Sequence, residues 1–393
     1  MILVFDIVCD LEFVYWNLKM NILYITNHLN IGGITTYVLS LAREMKKRGH
    51  GVYVASSAGE LLPEFTKMGI EFIPIPIRTK SELSPKIILS FLKLKGFIRK
   101  YKIELAHSNS RTTQVLGCLV SRASGIAHIS TCHGFFKARF WRRLFPCWGD
   151  KVIAISEEVR RHLIKDFAVD EKKIALIHSG VDIEKFKIPC LSGRQENSNI
   201  KNEKKKELGL GQGPVIGIIA RLSEEKGHIY LIQAMKIILE RVPAAQLLIA
   251  GRGRVQEKLE LLVKELGIDR SVFFIPQIQD TSRVLPALDL FVLPSLKEGL
   301  GLALMEAMAC GLPVVGSNIG GIKSLIKDGI CGLLVEPADA AALAQAALRI
   351  LENPAQAESF GRQACIFIAE NFSLERMTTQ TERVYSECLS QKN

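Results

Sequence analysis

Two carboxylates eight residues apart, Glu298 and Glu306, mark the stretch KEGLGLALMEAMACGLPVV at residues 297–315. Glu306 lies among Ala303, Leu304, Met305, Ala307, Met308 and Ala309, a helical run fit for burial. An unpaired buried charge costs several kcal/mol or changes its protonation state, so Glu306 calls for a binding partner. A carboxylate there can take a diol through both oxygens, and a ribose is such a diol. The alternative is an acid satisfied by donors inside the fold. Glu298 precedes the helix, in a loop with Gly299, Leu300 and Gly301. Glycines let a backbone approach a ligand closely, and free N–H groups at a helix start suit a phosphate. Glu298 can face the same ligand, or it can be an acid that merely complements the helix dipole.

A second constellation is IIARLSEEKGHIYLI, in which Arg221 and Lys226 follow a strand and precede a helix. Two cations at the carboxyl end of a strand can neutralise a diphosphate; the alternative is a pair of solvated surface charges. The chain has no D-x-D pair to hold a divalent metal beside a nucleotide, Asp10–Glu12 and Asp182–Glu184 being the nearest approximations. Fixed cations would then stabilise a departing phosphate, and no metal is expected. Near the start, NHLNIGGITTYVLSLA puts Gly32 and Gly33 between a strand and a helix, where phosphate again fits. The turn is not G-x-G-x-x-G, and no acid ends the next strand, which argues against a dinucleotide dehydrogenase. His133, in STCHGFF, ends a strand, as does His107 in LAHSNS; position alone leaves a structural and a functional role open for both.

These groups need elements to hold them. From Met20 onward, apolar strand patterns alternate with amphipathic helix patterns: NILYIT, then ITTYVLSLAREMKKRG, then GVYVAS, and so on through AHISTCH and DKVIAIS. This rhythm predicts parallel sheets covered on both faces. It breaks in LSGRQENSNIKNEKKKE, which is polar and highly charged, and resumes with PVIGIIA. The fold class expected is α/β, with two doubly wound domains of similar size. The boundaries expected are an extension at 1–19, a first domain at 20–186, a linker at 187–213, a second domain at 214–371 and a C-terminal helix at 372–393 that packs back on the first domain. Residues 1–19 are apolar, but Asp6, Asp10 and Glu12 interrupt them and no basic segment precedes them, so they do not read as a secretory signal.

The 393 residues are 48% hydrophobic, and Lys+Arg 51 against Asp+Glu 40 gives a net charge of +11. That length favours two domains over one core. The basic excess suits an anionic partner. Nucleic acid is not expected, because no helix-turn-helix, zinc finger or aromatic RNA-binding motif is present. Nine cysteines without a C-x-x-C pair read as free thiols in a reducing compartment. Two stretches mix cations with large apolar residues: FLKLKGFIRKYK, with Lys93, Lys95, Arg99, Lys100 and Lys102, and FFKARFWRRLFPCW, with Lys137, Arg139, Arg142 and Arg143. Both suit an anionic membrane surface.

EGLGLALME has the E-x7-E pattern of the family four, or group one, retaining glycosyltransferases, and the chain resembles that family from about Met20 to its end. NIGGITTYVLSLAREMKKRGH, TCHG, VIAISEEVRRHL, IALIHSGVDIEKF, GIIARLSEEKG, LLIAGRGR and LPSLKEGLGLALMEAMACGLPVVGSNIGG occur in the family's order. The resemblance implies a GT-B fold, two Rossmann-like domains facing across a cleft. It also implies a nucleotide-diphosphate sugar as co-substrate with neither metal nor cofactor, and a glycan or lipid-linked acceptor. Under it, Glu306 holds the donor ribose and Glu298 contacts the sugar. Arg221 and Lys226 grip the diphosphate, and Gly33 offers backbone to phosphate. Gly299, Leu300 and Gly301 line the donor, and His133 orients the sugar. The implied activity is a hexosyltransferase of cell-surface polysaccharide or lipopolysaccharide synthesis, cytoplasmic and peripheral on the inner membrane face. Three departures leave the donor open. Gly320-Gly321-Ile322-Lys323-Ser324 lacks the usual acid, Ser179-Gly180-Val181-Asp182 replaces Asn-Gly-Val-Asp, and Arg252 and Arg254 stand where an acid is common. The alternatives are a GT-B sugar-nucleotide epimerase, a phosphorylase, for which no pyridoxal phosphate lysine motif is identified, and a non-catalytic nucleotide-sugar-binding protein.

Overall fold

The computed structural model describes residues 19–137, 142, 145–186, 194–276 and 278–392. The expected extension, apart from Lys19, lies outside the described residues, as do Arg139, Phe140, Trp141 and Arg143 of the second basic–aromatic stretch. The chain forms two units, one comprising residues up to Ile177 together with those from Met377 on, the other His178–Arg376.

In the first unit seven parallel strands run in the order β3-β2-β1-β4-β5-β6-β7. They are β1 (Asn21–His28), β2 (Gly51–Ser57), β3 (Glu71–Pro74), β4 (Leu105–Ser108), β5 (Ala127–Cys132), β6 (Lys151–Ala154) and β7 (Ile174–Leu176). Between them come α1 (Gly33–Lys47), α2 (Leu62–Lys67), α3 (Pro85–Lys100), α4 (Arg111–Ser124) and α5 (Glu157–Phe167). The strands read as near-continuous apolar runs because helices cover the sheet. Leu23 and Ile25 of β1 pack with Ile87, Leu94 and Ile98 of α3 and Leu116 and Val120 of α4. Chain order reverses between β1 and β4, the place where doubly wound sheets open a crevice at their carboxyl ends.

Most of FLKLKGFIRKYK lies on α3. Its Leu94 and Ile98 face the core, while its exposed apolar residues are Ile88, Leu89 and Leu92, with Leu83 just ahead of the helix. In the second stretch Arg142 is not a free cation. It pairs with Glu82 at 2.6 Å, and Trp148 is buried in the unit.

The second unit has six parallel strands in the order β10-β9-β8-β11-β12-β13, with the reversal between β8 and β11. They are β8 (Val215–Ile219), β9 (Gln246–Ala250), β10 (Val272–Ile275), β11 (Leu290–Leu293), β12 (Val314–Ser317) and β13 (Leu333–Val335). The helices are α6 (Ile183–Phe186), α7 (Arg194–Glu207), α8 (His228–Arg241), α9 (Gln256–Glu265), α10 (Leu302–Ala309), α11 (Gly320–Leu325), α12 (Ala340–Leu351), α13 (Pro354–Asn371) and α14 (Leu374–Ser390). Ile216, Leu231, Met235, Leu247, Val292 and Leu343 lie in one apolar core.

Of the linker expected at 187–213, residues 187–193 lie outside the described residues, while 194–207 form a helix, α7, and the second unit already begins at His178. α7 lacks an apolar face and is held by charge. Lys201 pairs with Asp289 at 2.6 Å, and buried Lys205 donates to Asp289 at 3.0 Å and to the Gly213 carbonyl at 2.9 Å. Burial works to raise the Asp289 pKa, but Lys201, the Val215 N–H and Lys205 outweigh it and hold the carboxyl below its usual range.

From Met377 on, α14 belongs to the first unit. Glu382 pairs with Arg48 and, at 2.7 Å, with His50. Tyr385 meets His107 Nδ1 at 2.5 Å, and His107 Nε2 lies 2.7 Å from Thr131. His107 is fully buried, its pKa pushed down to about 3 by desolvation and then by His133 and His128. It is a neutral structural link between α14 and β5.

Candidate active site

The β8–β11 reversal is built by two loops laced together through their backbones. Leu296 N–H donates to the Glu225 carbonyl at 2.8 Å, and Lys297 N–H reaches the same oxygen at 3.4 Å. Gly227 has a left-handed φ of 69°, and a Cβ there would stand 1.9 Å from the Pro294 carbonyl oxygen. Only glycine allows the approach. The consequence is a fixed pair of side chains. Lys226 Nζ donates to Glu298 Oε2, and Ser295 Oγ donates to the same oxygen at 3.4 Å. Both partners are mostly buried, with side chains 20% and 12% exposed, so this is not a screened surface pair of little consequence.

A second close approach supports the loop from behind. Gly321 N–H donates to the Glu298 carbonyl at 3.3 Å, and a Cβ on Gly321 would lie 2.3 Å from the Gly299 oxygen. The glycine pair that departs from the family pattern at its following residues thus seats Glu298 and Gly299. Ser324 turns inward and donates to the Gly321 carbonyl at 2.7 Å. Leu300 is buried, and Gly301 precedes α10 without any side-chain cap on the helix start.

Glu306 lies one turn into α10. Protein surrounds it on most sides, yet its surface stays partly exposed, so the carboxylate is recessed rather than sealed. Thr281 Oγ1 donates to Glu306 Oε2 at 3.0 Å. Lys185 contributes attraction at a distance but spends its ion pair on Asp280, at 2.8 Å. Desolvation pushes the Glu306 pKa up to about 7, against the Thr281 hydrogen bond and Lys185, with Asp280 adding to the rise. A recessed carboxylate with one hydroxyl donor has spare acceptor capacity, which suits a ligand bringing two more hydroxyls.

Arg221 stands apart from this cluster. Its side chain is 69% exposed, and its ion pair is with Glu225 at 3.7 Å. Gly33 and His133 belong to the first unit. Gly33 opens α1, whose start has no side-chain cap, and Tyr37 one turn later meets the His133 ring edge-on at 4.7 Å. His133 Nε2 lies 3.2 Å from Asn109 Oδ1. Burial pushes the His133 pKa well below the usual imidazole range, so at neutral pH it is an uncharged donor or acceptor.

Sequence reasoning missed Lys185, Asp280, Thr281 and His228. Lys185 lies within the motif GVDIEKF, but nothing local to it points to Glu306. His228, the first residue of α8, is buried beside the Ser223 backbone, and the Ser223 hydroxyl is buried without a partner. Desolvation, then Lys226, pushes the His228 pKa down to about 4. Among the described residues, no group of three or more His, Cys, Asp or Glu could hold a metal ion.

Residues 199–365 match the family described as "Glycosyl transferases group 1", and residues 31–185 match "Glycosyltransferase Family 4". The UDP-Gal:alpha-D-GlcNAc-diphosphoundecaprenol alpha-1,3-galactosyltransferase of Escherichia coli is 30% identical over 298 residues, 72% of this chain and 74% of the relative. The chain belongs to the group 1 glycosyltransferases. A Rickettsia africae glycosyltransferase of known structure shares its fold, with a TM-score of 0.81 and 24% identity over 94% of this chain and 99% of that one. Anabaena HepE, crystallised with UDP and glucose, does so with a TM-score of 0.81 and 22% identity over 94% and 100%. The fold of this group 1 glycosyltransferase is GT-B. The epimerase and non-catalytic nucleotide-sugar-binding readings are not favoured by such relatives. Lys226, Glu298 and Glu306 lie in the first matched segment, Gly33 and His133 in the second.

The raised Glu306 pKa carries a stability cost with a definite sign. An unfolded glutamate titrates near pH ~4.3, whereas the folded group holds its proton until about pH 7. Stability is therefore lost as pH rises from the unfolded value through the folded one. In the absence of nucleotide, Glu306→Gln should melt a few degrees above wild type at pH 8, with the gap closing by pH ~4. Thermal melts across that range check this, and equal melting temperatures at pH 8 would show that Glu306 is not strained.

Proposed function

We propose that this glycosyltransferase moves a hexose from a nucleotide-diphosphate sugar to a glycan or lipid-linked acceptor, with retention of configuration and without a metal. The recessed Glu306 carboxylate, with a single hydroxyl donor and a pKa near 7, carries the reading, because such a group is costly unless ligand hydroxyls complete its shell. It holds the donor ribose through the two ring hydroxyls. Gly299, Leu300 and the start of α10 supply backbone N–H groups to phosphate.

Lys226 has three donors, enough to keep Glu298 and still bind a phosphate oxygen. Exposed Arg221 swings to the same diphosphate. Their charge stabilises the leaving group as the glycosidic bond breaks, and the departing phosphate takes the acceptor hydroxyl's proton on the face from which it leaves. That gives retention by front-face attack. Glu298 contacts sugar hydroxyls, Gly33 offers backbone to phosphate, and neutral His133 orients the sugar. The relatives' printed activities include transfer to a diphosphoundecaprenol-linked acceptor, which supports a lipid-linked acceptor and a role in cell-surface polysaccharide or lipopolysaccharide synthesis, with the protein cytoplasmic and peripheral on the membrane.

A thermal-shift screen of nucleotide sugars identifies the donor, since binding raises stability by mass action, and initial rates with it test the roles. Lys226→Ala and Arg221→Ala should each lower turnover about 100-fold, like a lost oxyanion donor. Glu298→Ala should lower turnover more than donor affinity. EDTA should change nothing. Rescue of chelated enzyme by Mg²⁺ or Mn²⁺, or full activity in Lys226→Ala, would contradict the assignment.

For the membrane, the supporting observation is the outer face of α3. No described helix is long and apolar enough to cross a bilayer, but Ile88, Leu89 and Leu92 are more than half exposed and run on toward Lys93, Lys95, Arg99 and Lys100. An apolar half followed by a cationic half suits insertion beneath anionic headgroups. Vesicles containing anionic lipid should sediment the protein at low salt and release it as salt rises. The double variant Leu89→Asp, Lys93→Glu should stay in the supernatant with an unchanged melting temperature. No sedimentation of wild type at low salt would end this part of the reading.

A further inference from the structure

Cys118 lies midway along α4, and Cys147 lies in the connection from β5 to β6. Arg111, the first residue of α4, precedes Cys118 by seven positions and so shares its helix face. Its guanidinium donates to the Pro146 carbonyl at 2.6 Å and to the Phe145 carbonyl at 2.9 Å, and it lies 5.2 Å from the centroid of the Trp148 ring. The residues on both sides of Cys147 are thereby held against the face that presents Cys118. Cys147 itself has φ 45°, a left-handed conformation uncommon outside glycine, which its surroundings must impose. The two thiols are neighbours, each close enough to shift the other's titration. Both are half-buried, whereas Cys132, Cys310, Cys331 and Cys388 are sealed in the interior.

The pair is also chemically asymmetric. The neighbouring Cys147, and then Arg122 and Arg111, push the Cys118 thiol down against the effect of burial, while its partner is pushed up. The thiolate is the attacking form, and nearby cations favour it. A half-exposed thiolate beside a second thiol is the arrangement of a reactive cysteine with its resolving partner.

We propose that Cys118 and Cys147 form a reversible dithiol–disulfide pair, a redox modification site that ties the β5–β6 connection to α4. The oxidant is a low-molecular-weight disulfide. The Cys118 thiolate attacks one sulfur of it, forming a mixed disulfide and expelling one thiolate. Cys147 then loses its proton to solvent and attacks the Cys118 sulfur, expelling the second thiolate, and both leaving groups are reprotonated. Two electrons pass from the protein dithiol to the small disulfide, which becomes two thiols. The connection so tied begins with His133, so the bond would limit how far that segment can move. The inference rests on the first unit alone and stands whether or not the roles proposed for the donor site are right.

The test uses the full chain, glutathione disulfide as oxidant, and peptide mapping under non-reducing conditions. Wild type should yield a Cys118–Cys147 linked peptide that dithiothreitol removes. Cys147→Ser should stop at the mixed disulfide on Cys118, and Cys118→Ser should give neither product. Melts in reductant establish that both variants fold; should either fail, the wild-type map decides alone. Thiols that remain free, or separate glutathione adducts on both cysteines without a link, would overturn the proposal.

Discussion

A backbone hydrogen bond from Leu296 to Glu225 joins the two loops at the strand-order reversal of the second sheet, and the candidate chemistry depends on it. That bond, with Gly227 pressed on Pro294, brings a cation from the loop after β8 onto a carboxylate from the loop after β11. The residues are far apart in sequence, yet parallel pairing of β8 with β11 places both at the carboxyl end of the sheet's central strands. Doubly wound sheets bind ligands at such reversals because adjacent loops diverge there and leave a crevice. The Gly321 contact with Gly299 then fixes the far side of the same loop, so Glu298 is held from two directions.

Glu306 shows the trade that such a site makes. Its helix is among the most apolar of the chain, which anchors it against the sheet, and a carboxylate inside it is held near pH 7 by desolvation. Thr281 offsets only part of that cost, and Lys185 is committed to Asp280. Binding sites commonly carry such uncompensated groups at the expense of stability.

Much of this was legible in the sequence, and what was missed has physical causes. The strand and helix alternation follows from apolar periodicity, and Arg221, Lys226, Glu298 and Glu306 stand in short motifs that can be read locally. Thr281 and Lys185 reach Glu306 only through the fold, and no spacing announces them. α7 was expected as a loop because it lacks an apolar face; Lys201 and Lys205 anchor it through Asp289, an interaction that periodicity does not register. In α3 the sum of cations and aromatics was visible, but which residues turn outward was not. Leu94 and Ile98 fill the core, and Leu89 and Leu92 of the preceding turns carry the exposed face. Arg142 reads as a free charge in the sequence, but Glu82, far away along the chain, binds it.

The central claim is that Glu306 exists to hold a ribose diol. The most direct measurement is calorimetric binding of the best nucleoside diphosphate and of its 2′,3′-dideoxy counterpart to wild type and to Glu306→Gln. Wild type should prefer the ribose form by about tenfold or more, as expected for charge-assisted hydrogen bonds, and the variant should bind the two nearly alike. Equal preference in both proteins, or no preference in wild type, would contradict the account.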